Sequence, residues 1–139
     1  MSRDEQRLGD YLRHILQAID RIQGYTGDID QSGFLANEMV QDAVIRNFEV
    51  IGEASHNIET RFPEFAANHP ELPLAVAYQM RNAVAHGYFK VDLEIVWKTI
   101  QTELSKLRMA ARGALVNLPG NGTSGTANPS GQSPGDIVS

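Results

Sequence analysis

The chain has 139 residues, 42% hydrophobic and 21% charged, which is enough for one globular domain and too short for two. It contains no cysteine, so disulfide frameworks and thiolate metal sites are excluded, and a cytoplasmic location is the simple expectation. A net charge of −5 argues against broad electrostatic capture of nucleic acid, which relies on a basic surface, but leaves room for a small local cationic site.

The opening MSRDEQRLGD is charged from its third residue and carries no apolar core of a secretory signal. No run approaches the ~18 apolar residues of a membrane span, so no membrane association is expected. Ser2 and Glu5 form a capping box ahead of Leu8, Leu12, Ile15, Ile19 and Ile22, which step by three and four and predict a first helix ending near Gly24. Gly27 to Gly33 is polar and turn-like, with Phe34 and Leu35 as an anchor.

A second, longer helix is predicted from near Asn37 to just before Pro63, with Val40, Val44, Phe48, Ile51, Ser55 and Ile58 on one stripe. Gly52 lies inside it, where glycine costs about 1 kcal/mol relative to alanine, and such a glycine signals close backbone approach. Residues 63 to 69, PEFAANH, form one short turn closed by Pro70 and Pro73. Pro73 then opens a helix from Leu74 to Ala85, with Gly87 as its stop. Asp92 caps a last helix striped by Leu93, Val96, Trp97, Ile100, Leu104 and Leu107. Phe48 and Trp97, aromatic at helical spacing, are expected in the core, and His14, His56 and His69 at the surface.

From Asn117 the chain is dominated by Gly, Pro, Ser, Asn and Thr, with Asp136 as its single charge. Such a segment cannot bury enough apolar surface to offset its ordering entropy. The expected architecture is therefore all-α: a four-to-five-helix up-down bundle over residues 1–114, followed by a disordered tail over 115–139. A core this small also points to dimerisation.

The stretch RNAVAHGY, residues 81–88, concentrates polar chemistry on a mostly apolar helix. Asn82 and His86 are four apart and share a face, whereas Arg81 and His86 are about 140° apart on an ideal helix and converge only if the turn before Gly87 loosens. A guanidinium matches phosphate oxygens, an imidazole exchanges protons near neutrality, and an amide orients either. Cleavage of RNA through its own 2′-OH needs these functions. No metal and no cofactor are called for: the four histidines are scattered and no HExxH pattern occurs. Taken alone, the set also suits an interhelical hydrogen-bond cluster, since Arg–His spacings of this kind arise by chance.

The surroundings of the motif tip that balance. RNAVAHGY resembles the R-N-x-x-x-H-x-Y signature of HepT-like toxins, a branch of the HEPN superfamily. AVIRNFEVIGEASHNI from Ala43 is similar to the family's R-x-x-x-x-I-G-E-A segment, matching at Arg46 and at Ile51, Gly52, Glu53 and Ala54. VDLEIVW, residues 91–97, resembles the piece that follows the tyrosine, so the likeness covers about residues 5 to 110. The resemblance implies a dimeric HEPN-like helical fold and a metal-independent endoribonuclease whose cleft is shared by two motif helices. It implies Arg81 and His86 as the catalytic pair, Asn82 in orientation, and Glu53 as a carboxylate holding Arg81. It also implies a toxin–antitoxin pair, in which a minimal nucleotidyltransferase antitoxin neutralises the toxin by transferring AMP to Tyr88. The alternative is a non-catalytic nucleotide- or partner-binding subunit of such a nucleotidyltransferase complex, with RNAVAHGY as its recognition surface.

Overall fold

The computed structural model describes residues 3–85 and 93–118. Ser2, His86, Gly87, Tyr88, Asp92 and the tail beyond residue 118 lie outside the described residues. The described chain is all-helical: α1 (Arg3–Thr26), α2 (Gln31–Leu35), α3 (Glu38–Arg61), α4 (Pro63–Asn68), α5 (Leu74–Ala85), α6 (Leu93–Thr102) and α7 (Leu104–Val116).

Each long helix follows its apolar stripe. In α1, Leu8, Leu12, Ile15, Ile19 and Ile22 are all buried, and the helix runs two residues past Gly24, to Thr26. Thr26 is buried there because its hydroxyl donates to the Ile22 carbonyl at 2.8 Å, which satisfies it within the last turn. Asn37 caps α3 by accepting from the Val40 N–H at 3.0 Å. Val44, Phe48, Ile51, Ala54 and Ile58 form the buried side of that helix.

The helix α3 is the hub, with α1 and α5 as its main neighbours. Tyr11 near the start of α1 meets Phe62 at the end of α3, ring centroids 6.4 Å apart, so these two helices run antiparallel. On α7, Arg108 donates to Asp20 of α1 at 2.9 Å, joining the beginning of one helix to the late turns of the other. The up-down character expected of the bundle follows from these pairings.

Four details depart from the sequence expectation. The polar stretch before Phe34 is not all turn: Asp30 accepts from the Gly33 N–H at 2.8 Å and starts the one-turn helix α2. Phe34 is fully buried against Trp97, with centroids 5.4 Å apart, whereas Leu35 is exposed, so Phe34 alone is the anchor. The last predicted helix is broken at Glu103 into α6 and α7. The interruption is one residue long: Glu103 keeps αR dihedrals, its N–H donates to the Thr99 carbonyl at 2.9 Å, and its carbonyl accepts from Leu107 at 3.0 Å. The helical region also continues past residue 114, since α7 reaches Val116 and Leu118 is buried.

The helix α5 is held chiefly by α3. On its other side an apolar cleft of about 190 Å³ separates it from the α6–α7 junction, lined by Val76, Met80, Leu104 and Leu107 among others. No helix among the described residues is long and apolar enough to cross a membrane.

Candidate functional site

The site is built on the seam between α3 and α5. At Gly52 the seam is so tight that an added Cβ would overlap the Arg81 Cβ, and would stand 2.8 Å from its Cγ and 3.0 Å from the Ala77 carbonyl oxygen. Only a residue without a side chain lets α5 approach this closely. The glycine therefore brings the stem of Arg81 down onto α3, and the packing role expected of Gly52 is what the geometry shows.

One residue further on, Glu53 points away from the apolar stripe and reaches the guanidinium: its Oε2 is 2.5 Å from Arg81 Nη2. Arg81 Nη1 donates to Asn82 Oδ1 at 2.9 Å. The guanidinium is thus oriented from two sides, by a carboxylate on α3 and an amide on its own helix. Arg81 Nε is buried and has no hydrogen-bond partner among the described residues. The Arg81 side chain is 27% exposed and that of Glu53 52%, so the pair sits at the rim of the seam, open to solvent on one side. A guanidinium is of the chemical type that binds phosphate oxygens, and here its charge is already faced by the Glu53 carboxylate.

A second pairing lies one turn along the same seam. The rings of His56 on α3 and Tyr78 on α5 are stacked, with centroids 4.0 Å apart and planes 16° from parallel. Both are half-buried. Since Glu53 meets Arg81 and His56 meets Tyr78, the two helices run antiparallel. Sequence reasoning places His56 at the surface and passes over Tyr78. The signal that finds them is their spacing, each three residues from a member of the Glu53–Arg81 pair.

The other sequence-derived residues fall as follows. Arg46, from the second matching block, is exposed and lies 3.6 Å from Glu49 on its own helix, away from the guanidinium of Arg81. His14 is exposed beside Tyr11. His69 is half-buried against the Phe65 ring, and its Nδ1 lies 2.7 Å from Glu71 Oε2, so it is not a free surface residue either. That hydrogen bond holds the Glu71 carboxyl below its ordinary range. Phe48 is in the core, and Trp97 packs against it from the edge. His86 and Tyr88 lie outside the described residues. Among the described residues no group of three or more His, Asp or Glu side chains is arranged to hold a metal ion.

Comparison with known proteins gives the seam a context. A family model described as "Ribonuclease HepT-like" matches residues 15–112. The chain is 40% identical over 99 residues to the "Probable ribonuclease HepT" of Thermococcus cleftensis, covering 71% of this chain and 87% of that protein. It is 35% identical over 98 residues to a "Putative RNase" of Methanocaldococcus jannaschii, covering 70% of this chain and 87% of the relative. A longer protein of the same organism, whose name joins a gamma-glutamylcyclotransferase to an RNase, is 39% identical over 98 residues, 43% of its own length. No solved structure matches the chain significantly.

Proposed function

The chain belongs to the HepT-like ribonuclease family, and from that premise we propose that it is a metal-independent endoribonuclease, the toxin of a toxin–antitoxin pair. The observation that carries this reading is the guanidinium of Arg81, seated over Gly52, oriented by Glu53 and Asn82, and partly exposed at the rim of the seam. In the proposed reaction His86 takes the proton of the 2′-OH as its oxygen attacks the adjacent phosphorus. Arg81 stabilises the charge that builds on the phosphorane oxygens, and Asn82 keeps the guanidinium in register. The P–O5′ bond then breaks, the leaving oxygen takes up a proton, and the products are a 2′,3′-cyclic phosphate and a 5′-hydroxyl. Two copies of the motif helix in a homodimer would supply two histidines, one for each proton transfer, and would double the local positive charge that an acidic chain otherwise lacks.

Regulation belongs to the same reading. A minimal nucleotidyltransferase antitoxin transfers AMP to Tyr88, two residues beyond the catalytic histidine, adding a phosphate that competes for the same cations. A second reading has some support in the half-exposed Glu53 carboxylate and the net charge of −5, both of which weaken attraction for RNA. In it the chain is a non-catalytic nucleotide- or partner-binding subunit of the nucleotidyltransferase complex.

The deciding experiment incubates the unmodified protein with total RNA in EDTA, beside His86→Ala. Cleavage by the wild type alone, leaving cyclic or 3′-phosphate ends, is the expected result. A folded, AMP-free wild type that leaves RNA intact would move the assignment to the binding subunit.

A further inference from the structure

The ring pair of His56 and Tyr78 has no task in the chemistry above. Its two members come from different helices and meet within 4.0 Å at a half-exposed seam. The pair stands three residues from Glu53 on α3 and three from Arg81 on α5, a rise of about 4.5 Å along each helix. Because the helices are antiparallel, both offsets point the same way, and the ring pair lies about one helical turn along the α3–α5 seam from the Glu53–Arg81 pair.

Charge supplies the second argument. A chain of net charge −5, with a carboxylate already on its motif arginine, draws little affinity from the phosphate backbone alone. Proteins that hold single strands without a strongly basic groove need another source of affinity, and stacking of bases on aromatic rings is a sequence-tolerant one. From this juxtaposition we infer that His56 and Tyr78 form a stacking platform for one nucleobase of a single-stranded RNA, next to the phosphate held by Arg81. The inference rests on the ribonuclease reading for the identity of its ligand. It makes the pair a substrate-binding subsite, one that favours unpaired RNA because a base held in a duplex stack cannot reach it.

The test uses the full chain and a fluorescent single-stranded oligonucleotide whose 2′-oxygens are methylated, so that it binds without being cut. Affinity is read by anisotropy for wild type, Tyr78→Phe and Tyr78→Leu, on the intact oligonucleotide and on a set lacking one base at each position in turn. The platform predicts that Tyr78→Phe binds as wild type, while Tyr78→Leu loses about tenfold. Loss of one particular base should weaken the wild type by a similar factor and leave Tyr78→Leu unchanged, because the same contact is absent in both. Two independent losses that multiply would make the ring pair mere packing between α3 and α5. So would equal binding by wild type and Tyr78→Leu, or no saturable binding by wild type. The missing-base series on the wild type needs no variant to fold. Cleavage of the unmethylated RNA is followed separately: failure to cut, with the stacking signature intact, removes the nuclease reading and leaves the platform standing.

Discussion

Replacing Gly52 by alanine is the sharpest perturbation of the α3–α5 seam. The new methyl would overlap Arg81 Cβ and fall about 1 Å short of ordinary contact with Arg81 Cγ and the Ala77 carbonyl oxygen, given a normal separation of about 3.5–4.0 Å. Cβ and the carbonyl are fixed to the α5 backbone, so neither can turn aside, and the helix itself must move outward. Overpacking of this kind costs about 1–3 kcal/mol, and the anchored neighbours put Gly52→Ala at the upper end. The gain in helix propensity returns about 1 kcal/mol, leaving a net loss of about 2 kcal/mol. In a domain of this size that is a fall in Tm of about 10 °C. Cleavage should suffer more, about 100-fold, because the guanidinium is displaced by about 1 Å from its productive place. Thermal unfolding by circular dichroism and cleavage of a labelled RNA read the two effects. A Gly52→Ala protein as stable as wild type and cutting at the wild-type rate would show that the seam is looser than described.

Glu53 offers a graded test of how Arg81 is held. Glu53→Gln keeps an acceptor for Nη2 and loses the charge, while Glu53→Ala loses both, so cleavage should rank wild type, Gln, Ala. Stability should change by less than about 1 kcal/mol, because the pair is solvent-exposed on the Glu53 side; equal cleavage by all three proteins would remove Glu53 from the site. Ser55 is fully buried and its hydroxyl has no partner among the described residues, so Ser55→Ala should leave Tm unchanged or raise it. A loss there beyond about 1 kcal/mol would contradict the unpaired hydroxyl. Glu71, lowered mainly by its hydrogen bond from His69, contributes stability above its unfolded value near 4.5 and loses it as pH falls through the lower folded value. His69→Ala should therefore lower stability above that window and not below it, and should move the NMR titration of Glu71 upward; an unmoved titration would mean that His69 is not the cause.

Much of this arrangement is legible from residue spacing. Steps of three and four from Leu8 to Ile22 and from Val44 to Ile58 predict α1 and α3, and Asn37 and Pro63 bound the second of these. What escapes such reasoning has physical causes. The helix α2 is five residues long, too short to show a period, and its only mark is the Asp30 cap. The break at Glu103 is hidden because Leu104 and Leu107 continue the apolar stripe across it, and the backbone hydrogen bonds of Glu103 to Thr99 and Leu107 keep the helical pattern through it. Gly52 announces a close approach but not what approaches. That Arg81 is its neighbour follows only once α3 and α5 are set side by side. The contact of His56 with Tyr78 is likewise tertiary, between residues 22 positions apart that carry no joint motif.

The one-sided attachment of α5 has a consequence for how the molecule spends its time. A helix gripped along a single flank, with a cleft on the other, can lift off without the remaining helices letting go. Its opening free energy is then smaller than that of the whole domain and, among the described residues, is set chiefly by the α3 contacts. On the proposed mechanism, the fraction of molecules with an assembled guanidinium, rather than the fraction folded, is the quantity on which cleavage depends. Milder changes on the α5 side of the seam, at Ala77 or Tyr78, can therefore lower cleavage while a melting curve dominated by α1, α3 and α7 moves little. Amide hydrogen exchange resolved helix by helix would see what the melting curve does not.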